Sequence, residues 1–137
     1  MTLEDRIREE MYVDTGSLLE EQFDRAKEFF EIYEDHTVRI KEPYTEADSV
    51  SRMLVHLIAW QYIAAEDEDE TPVLPNQYFY DRFDRGESTI RNDFSDLEDE
   101  GVIQTTDDSE RELVAQRLPE VLDRIDTEIE DKEESAD

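Results

Sequence analysis

The chain has 137 residues and no cysteine, so it can form one compact domain, or a small domain with extra helices, but no disulfide, thiolate metal site or cysteine nucleophile. Asp and Glu number 41 against 14 Lys and Arg, which gives a formal charge of −27. No apolar run approaches the roughly 18 residues of a membrane span and no signal peptide opens the chain, so we expect a cytoplasmic protein without a membrane partner.

Residues 1–44 are predicted to form a mainly helical appendage at the N-terminus. Residues 2–11 suit a short helix with Thr2 as its cap, because acidic side chains follow early. Residues 36–41 alternate in polarity, which suits an edge strand or an extended linker. Pro43 disfavours helix in the residue before it, so we place the boundary with the main domain just after it.

A helix is predicted between residues 17 and 35, where apolar side chains recur at spacings of four and three. Ser17 and Glu20 match a capping box at its start. The spacing is that of a coiled-coil seam, although it covers little more than two heptads. A helix packed on its own domain and a dimerisation helix explain the seam about equally well, and an exposed Phe29 would favour the homodimer. The seam consists of Leu19, Phe23, Ala26, Phe30 and Tyr33.

The main domain, residues 45–117, is expected to begin with its most apolar helix, over residues 46–66. Apolar side chains cover nearly all of the circumference of this helix, which predicts burial on several sides. His56 lies in it without a second ligand at metal-binding spacing, so we interpret this histidine as a packed structural residue. The charged residues 66–71 should then form a solvated loop.

A second helix of the main domain is expected to begin at Pro75 or Asn76, since proline is tolerated in a first turn. Phe79 and Phe83 are four residues apart and should both enter the core. Gly86 then allows a tight turn into a third helix.

The third helix is predicted from the most distinctive stretch, residues 86–103. Ser88 or Glu87 can cap it, and a narrow apolar stripe follows at spacings of four and three. Gly101 suits the helix end, because glycine adopts the left-handed conformation without a Cβ penalty. Two β-branched residues then begin a strand. The apolar stripe consists of Ile90, Phe94 and Leu97.

A hairpin and a final helix are predicted after this stretch. Turn-forming residues at 106–109 separate two short strand segments, residues 102–105 and 110–115. Residues 118–137 should form a C-terminal helix with an acidic tail that frays. We expect this helix to pack beside the N-terminal helix or on another copy of the chain. The apolar face that would make the dimer contact contains Leu122, Ile125 and Ile129.

The order of helix, glycine turn, polar helix, glycine stop and hairpin resembles the winged helix-turn-helix superfamily over about residues 46–117. The resemblance implies a mainly α fold with a small β-hairpin wing, extended here by additional N-terminal and C-terminal helices. Residues 88–100 would be the recognition helix. The matched positions are Ser88, Thr89, Ile90, Arg91, Asn92, Asp93, Phe94, Leu97, Glu98, Gly101, Val102 and Ile103.

A winged helix of this kind implies a sequence-specific DNA-binding protein, and a dimeric transcription regulator in particular. The first half of the recognition helix would enter the major groove of double-stranded DNA with its polar side chains. Base-edge contacts are assigned to Thr89, Arg91 and Asn92, and phosphate contacts to Arg85, Ser88 and Arg111, with Ser95 on the same exposed face. Alternatively, Ser88 only caps the helix and Arg91 pairs with nearby carboxylates such as Glu87.

The strong negative charge opposes DNA binding, which usually depends on Lys and Arg neutralising phosphates. A disordered acidic chain, an acidic interaction surface and adaptation to a salty cytoplasm are three competing explanations. Periodic aromatic residues argue against disorder. Acidic residues in every segment and only three lysines favour a halophilic archaeal source. In molar salt, bound monovalent cations would bridge carboxylates to phosphates over short, screened distances.

Catalysis is not expected, because the reactive constellations that it needs are missing from the sequence. There is no phosphate-cradling glycine loop, nucleophile elbow or H-E-x-x-H motif, and the two histidines lie twenty residues apart. Chance pairs among so many carboxylates carry no information. We therefore predict no catalytic residue, metal ligand or cofactor.

Two alternatives remain within the same fold. An acidic winged-helix adaptor would bind other proteins through the recognition helix, since fold alone does not decide function. A plasmid or viral partition or replication accessory protein would bind DNA in another role. The adaptor is favoured by the acidic residues on the recognition helix itself, which are Asp93, Asp96, Glu98 and Asp99.

Overall fold

The computed structural model describes residues 1–12 and 14–135, in which helices dominate and two small antiparallel hairpins are present. The helices are α1 (Leu3–Glu10), α2 (Thr15–Glu21), α3 (Phe23–Ala26), α4 (Ser49–Glu66), α5 (Asn76–Arg82), α6 (Glu87–Asp99) and α7 (Leu118–Ser135). The strands are β1 (Phe30–Ile32), β2 (Val38–Ile40), β3 (Ile103–Thr105) and β4 (Arg111–Leu113), and 3₁₀ turns cover Tyr44–Glu46 and Ala115–Arg117. The mainly α class with a small hairpin after α6 is confirmed. None of the helices in the described range combines the length and the apolarity that crossing a membrane requires.

The N-terminal region differs from the single helix predicted over residues 17–35, which is wrong beyond α3. The structure divides this stretch into α2, α3 and β1, and β1 pairs with β2 so that Phe30 lies opposite Ile40. The predicted capping box is also wrong. The cap of α2 is Asp14, whose Oδ1 accepts a hydrogen bond from the amide of Ser17 at 2.8 Å.

Phe29 shows why the helix cannot continue. Its ring is buried and stacks on Tyr44, with the ring centroids 4.0 Å apart, rather than adding exposed surface as predicted. Phe30 beside it is also buried, and adjacent side chains, about 100° apart on a helix, do not share a narrow stripe. The turn from α3 into β1 buries both rings. Of the two alternatives for residues 36–41, the strand is confirmed as β2.

α4 is the central helix of the core, as its sequence predicts. Residues 53–59 are all buried. The core around α4 takes side chains from α2 and β1 as well as from α5, α6 and α7. Residues on both sides of the boundaries placed after residues 44 and 117 therefore share one core.

His56 in α4 is packed inside the molecule, as its sequence context predicts. Its Nδ1 lies 2.8 Å from the hydroxyl of Tyr78, which also accepts a hydrogen bond from Nε1 of Trp60 at 3.3 Å. Burial lowers the pKa of His56 to about 4, and the nearby charges of Arg82 and Arg52 add to this effect. The imidazole is therefore neutral near pH 7, so Nδ1 can accept the hydroxyl proton of Tyr78.

α7 continues to Ser135, beyond the point at which its acidic tail was expected to fray. Lys132 holds the end of this helix by donating hydrogen bonds to Oδ1 of Asp48 and to the carbonyl of Glu46, both at 3.0 Å. The end of α7 is therefore docked on the segment that leads into α4. Residues 136–137 of the predicted tail lie outside the described residues.

α6 ends at the predicted glycine but begins differently from its prediction. Gly101 has a φ of 78°, and its amide and that of Val102 donate to helix carbonyls at 3.0 Å. These bonds satisfy carbonyls that the helix end would otherwise leave open. The residue that precedes the helix is Gly86, so Glu87 and Ser88 lie inside the first turn and their capping role is wrong.

The hairpin β3–β4 is confirmed, and a third segment of the chain pairs with β4 through its backbone. Leu74, in the loop before α5, exchanges two backbone hydrogen bonds with Arg111 of β4, at 2.7 and 2.8 Å. Phe79 and Phe83 are both buried, as predicted. The rings of Phe79 and Phe94 meet at a centroid distance of 4.8 Å, which joins α5 to α6 as a packed pair.

Candidate nucleic-acid interface

The exposed face of α6 carries a row of polar side chains, which we name the outward stripe. Its members occupy positions i, i+3, i+4 and i+7, so they lie on one face of the helix. All of them are exposed, whereas the opposite face is buried in the core. The outward stripe consists of Ser88, Arg91, Asn92 and Ser95. Thr89 lies beside it and is half-buried.

Arg91 supplies the positive charge of the outward stripe. Its Nη1 donates to the hydroxyl of Tyr80 on α5 at 3.4 Å. Within residues 1–12 and 14–135 its guanidinium forms no ion pair, so the alternative of pairing with Glu87 is not realised. Apart from the long contact between Nη1 and Tyr80, the guanidinium therefore keeps its donors and its charge for a base edge or a phosphate.

Arg85 is tied to α6 rather than extended into solvent. Its Nη1 lies 2.9 Å from Oδ2 of Asp93. That oxygen is buried, and the ion pair with Arg85 is its contact with a cation among the described residues. The ion pair reduces the positive charge that Arg85 would bring to a phosphate.

Arg111 is turned inward, which corrects its predicted role as a phosphate contact. Its side chain is only 13% exposed, and Nη1 lies 3.3 Å from Oε2 of Glu98. Its Nε donates to Oδ1 of Asn76 at 3.2 Å, and its guanidinium carbon lies 5.3 Å from the centroid of the Phe94 ring. Arg111 therefore braces β4 against both α5 and α6.

Arg82 provides a second exposed guanidinium, at the end of α5. Its guanidinium carbon lies 3.6 Å from the centroid of the Tyr78 ring, and its Nη1 donates to the carbonyl of Tyr78 at 3.0 Å. These contacts hold the side chain without neutralising its charge. Of the four arginines at residues 82, 85, 91 and 111, only Arg82 and Arg91 form no ion pair in the described part of the chain.

The second half of α6 is acidic, so the charge changes sign along the helix. Glu98 and Glu100 each take part in an ion pair. Asp96 and Asp99 are exposed. Any polyanion that approaches α6 would therefore meet the arginine side of the first half more favourably than the second half.

Tyr80 is the residue of this surface that the sequence did not single out. It is half-buried on α5, and its hydroxyl accepts the hydrogen bond from Arg91, eleven residues further along the chain. α5 contains two tyrosines close together, but its short apolar pattern does not show which of them faces α6. The contact becomes visible only once α5 and α6 are packed.

Most of the predicted dimer contacts belong to the core of the chain itself. Five of the seven are buried and have little surface left for a partner, namely Leu19, Phe30, Leu122, Ile125 and Ile129. Phe23 and Tyr33 are 52% and 49% exposed, and both line an open groove of about 750 Å³ together with Tyr62. This groove is the part of the predicted dimer surface that stays accessible.

The groups that the outward stripe presents are hydroxyl, amide and guanidinium groups. Such groups recognise base edges and phosphates by hydrogen bonding. No family model, curated protein or solved structure matches this chain. The functional interpretation of α6 therefore rests on its own geometry.

Proposed function

We propose that this chain is a sequence-specific DNA-binding protein of the winged-helix type that regulates transcription. The outward stripe carries the proposal, because it presents donors and acceptors on a helix whose opposite face is anchored in the core. The order of α5, glycine turn, α6 and the β3–β4 hairpin supports it. The backbone bridge between Leu74 and Arg111 adds further support, because it gives the hairpin a third segment.

The first half of α6 would enter the major groove of double-stranded DNA. Arg91 has the fork of donors that suits guanine, and Asn92 can both donate to and accept from adenine. Ser88 would hold a phosphate from the first turn. Arg82 takes over the phosphate role first assigned to Arg111, because Arg82 is exposed and Arg111 is turned inward.

The formal charge of −27 requires a setting in which repulsion from DNA is screened. We propose the cytoplasm of a halophilic archaeon, since the Debye length is about 3 Å at 1 M salt. Bound monovalent cations at Asp96 and Asp99 would then bridge α6 to phosphates. Affinity should change little, or rise, as KCl increases into the molar range, and a steep conventional loss with salt would exclude the bridging.

We further propose a homodimer formed through the open groove. Phe23, Ile32 and Tyr33 are exposed apolar or aromatic side chains along it. A symmetric dimer would read two half-sites about 34–36 Å apart, or a multiple of that distance. Sedimentation should show a dimer for the wild type and a monomer after Phe23→Ser with Tyr33→Ser. A wild type that stays monomeric at the concentrations used for DNA binding would exclude the dimer.

Selection of bound duplexes from a random-sequence pool in molar KCl tests DNA binding itself. We expect enrichment of one sequence, arranged as two half-sites if the dimer forms. A parallel selection without protein controls for retention of DNA on the matrix. Enrichment equal to this control would overturn the DNA-binding proposal.

The second candidate is a protein-interaction adaptor that uses the same face of α6. The ion pairs of Arg85 and Arg111 favour it, because they remove two of the predicted phosphate contacts. The exposed Asp96 and Asp99 would suit a basic protein partner. An adaptor would enrich no DNA sequence and would bind its basic partner less tightly as salt increases. A partition or replication accessory on a plasmid or virus would instead give the same DNA selection as a regulator.

A further inference from the structure

The turn of the β1–β2 hairpin brings an imidazole against two carboxylates from the loop after α4. Nδ1 of His36 lies 3.5 Å from Oε1 of Glu70, and Nε2 of His36 lies 3.7 Å from Oδ2 of Asp67. One donor atom from each of these residues lies within 4.8 Å of the other two. All three residues are half-buried. We name His36, Asp67 and Glu70 the His36 cluster.

The backbone holds the donors of the His36 cluster in place. His36 has a φ of 67°, and its amide donates to the carbonyl of Tyr33 at 2.8 Å, which fixes the turn. Asp67 follows α4 directly, and its Oδ1 accepts from the amide of Asp69 at 2.9 Å. The amide of Glu70 returns to the carbonyl of Asp67 at 3.1 Å. Both carboxylates therefore approach the imidazole from one ordered loop.

The charge of the His36 cluster is unbalanced. Two carboxylates carry two negative charges, whereas a protonated imidazole offsets only one. In the described part of the chain, neither Asp67 nor Glu70 pairs with a lysine or an arginine. A dication between the three side chains would offset both carboxylates and leave the imidazole neutral.

We propose that the His36 cluster binds one divalent transition-metal ion of the Zn²⁺ type through one imidazole nitrogen and two carboxylate oxygens. These ligands bind such ions at about 2.0–2.2 Å, so around a tetrahedral ion they lie about 3.3 Å apart. The donor atoms of the His36 cluster lie within 4.8 Å of one another and must close to that spacing. Glu70 faces Nδ1 and Asp67 faces Nε2, so one of the two carboxylates must rotate toward the nitrogen that holds the ion. The nitrogen ligand favours a transition metal over Mg²⁺, which prefers oxygen ligands alone.

The ion would tie the turn of the N-terminal hairpin to the C-terminal end of α4. The unfolded chain lacks the assembled cluster, so metal binding would stabilise the folded chain. The sequence does not reveal the site, because its histidine and its carboxylates lie in separate segments. This inference does not depend on DNA binding by α6, and either can fail without the other. His36 and Asp67 also line the open groove proposed for the dimer, so sedimentation with and without Zn²⁺ separates metal binding from dimer formation.

Trp60 offers a direct measurement of metal binding. It is the single tryptophan of the chain, and its ring centroid lies 5.9 Å from that of His36. Titration of the EDTA-treated full chain with Co²⁺ in molar KCl should quench its fluorescence with one-to-one saturation. Excess Zn²⁺ should restore the fluorescence and raise the melting temperature, whereas Mg²⁺ should do neither. Quenching that does not saturate, or an unchanged melting temperature with Zn²⁺, would overturn the proposal.

Three variants assign the binding to the His36 cluster. His36→Asn removes the imidazole but keeps a residue that tolerates a positive φ, and it should weaken Co²⁺ binding by about tenfold or more. Asp67→Asn with Glu70→Gln should do the same. Glu68→Gln with Asp69→Asn is the matched control, because it removes the same charge from the same loop outside the cluster. Equal losses in the two double variants would assign the binding to the general acidity of the loop and contradict the proposal.

Discussion

The two hairpins of the molecule have the same size but are anchored in different ways. Each has three residues per strand and one arginine that pairs with a glutamate. Arg111 in β3–β4 is 13% exposed and reaches Glu98 of α6. Arg39 in β1–β2 is 54% exposed and reaches Glu31 on the neighbouring strand. The first contact joins its hairpin to other elements, whereas the second stays within its hairpin.

This difference gives the same pair of residue types two different roles. Arg111 holds β4, α5 and α6 in fixed positions, which is what a recognition surface built on α6 requires. A surface pair such as that of Arg39 contributes little to stability, because solvent and salt screen it. The β1–β2 hairpin must therefore depend on its buried phenylalanines and, in our proposal, on the His36 cluster in its turn.

The largest expected effect is a loss of stability at low pH caused by the buried His56 on α4. His56 packs against Tyr78 and Phe83 next to α5, and burial lowers its pKa from the ordinary 6.5 to about 4. The unfolded chain therefore binds a proton between these pH values that the folded chain does not bind. The free energy of unfolding should fall by up to about 3 kcal/mol as the pH drops through this window.

Urea unfolding of the wild type and of His56→Gln measures this contribution. Both proteins have the same carboxylates, so the difference between their pH dependences comes from His56. As the pH falls from 6.5 to 4, the wild type should lose more stability than His56→Gln does, because only the wild type has the buried imidazole. His36→Asn is the matched control, since it removes the other histidine and leaves His56 in place. A pH dependence that is the same for the wild type and His56→Gln would contradict the burial of a neutral imidazole.

The second effect compares the two arginines directly. Arg111→Met should lower the free energy of unfolding by about 2 kcal/mol. It removes the hydrogen bonds of a side chain that is only 13% exposed and leaves Asn76 without its donor, whereas the ion pair itself adds little because Glu98 is 47% exposed. Arg39→Met, the matched change in the other hairpin, should change the free energy of unfolding much less, because its ion pair is screened by solvent. Chemical denaturation gives both values. Equal losses would mean that the two hairpins are anchored alike.

The smallest effect compares the glycine that follows α6 with the glycine inside α2. Gly101→Ala should cost about 1–2 kcal/mol, because φ is 78° and the new Cβ would lie 3.1 Å from Nη2 of Arg117. Gly16→Ala, inside α2, would also place its Cβ 3.1 Å from a side-chain atom, Oδ1 of Asp14. Its φ lies outside the left-handed region and a helix favours alanine, so stability should change by less than about 1 kcal/mol. Thermal unfolding compares the two variants. A neutral Gly101→Ala would show that α6 does not need glycine at its end.

Local turn chemistry made the C-terminal hairpin predictable from the sequence. The turn of the N-terminal hairpin also has an aspartate, Asp35, whose Oδ1 accepts from the amide of Thr37 at 3.0 Å, but this residue lies at the end of an apolar pattern that indicates a helix. Gly101 marks the start of β3 in the sequence, and the turn formers at residues 106–109 mark the gap between β3 and β4. By local rules, the apolar spacing over residues 17–35 indicates one continuous helix. The decisive contact, Phe29 on Tyr44, depends on a residue fifteen positions away. Tertiary packing overrides the helical pattern there.

The candidate site divides in the same way. The exposed face of α6 was predictable, because helical spacing places its residues on the side opposite the buried stripe. The ion pairs of the arginines around this face were not predictable. Arg85 pairs with Asp93, and Arg111 pairs with Glu98. These contacts depend on how the segments pack in three dimensions, which the sequence pattern does not show. The His36 cluster likewise joins segments that the sequence keeps apart.

Fluorescence anisotropy with a selected duplex in molar KCl tests the role of α6 most directly. Arg91→Ala and Arg8→Ala each remove one exposed arginine whose side chain contacts a tyrosine, so they change the net charge equally. Arg91→Ala should weaken binding of the selected duplex by about tenfold, whereas Arg8→Ala should change it by less than about twofold. Equal affinities of the wild type and Arg91→Ala for that duplex would contradict recognition of DNA by the outward stripe.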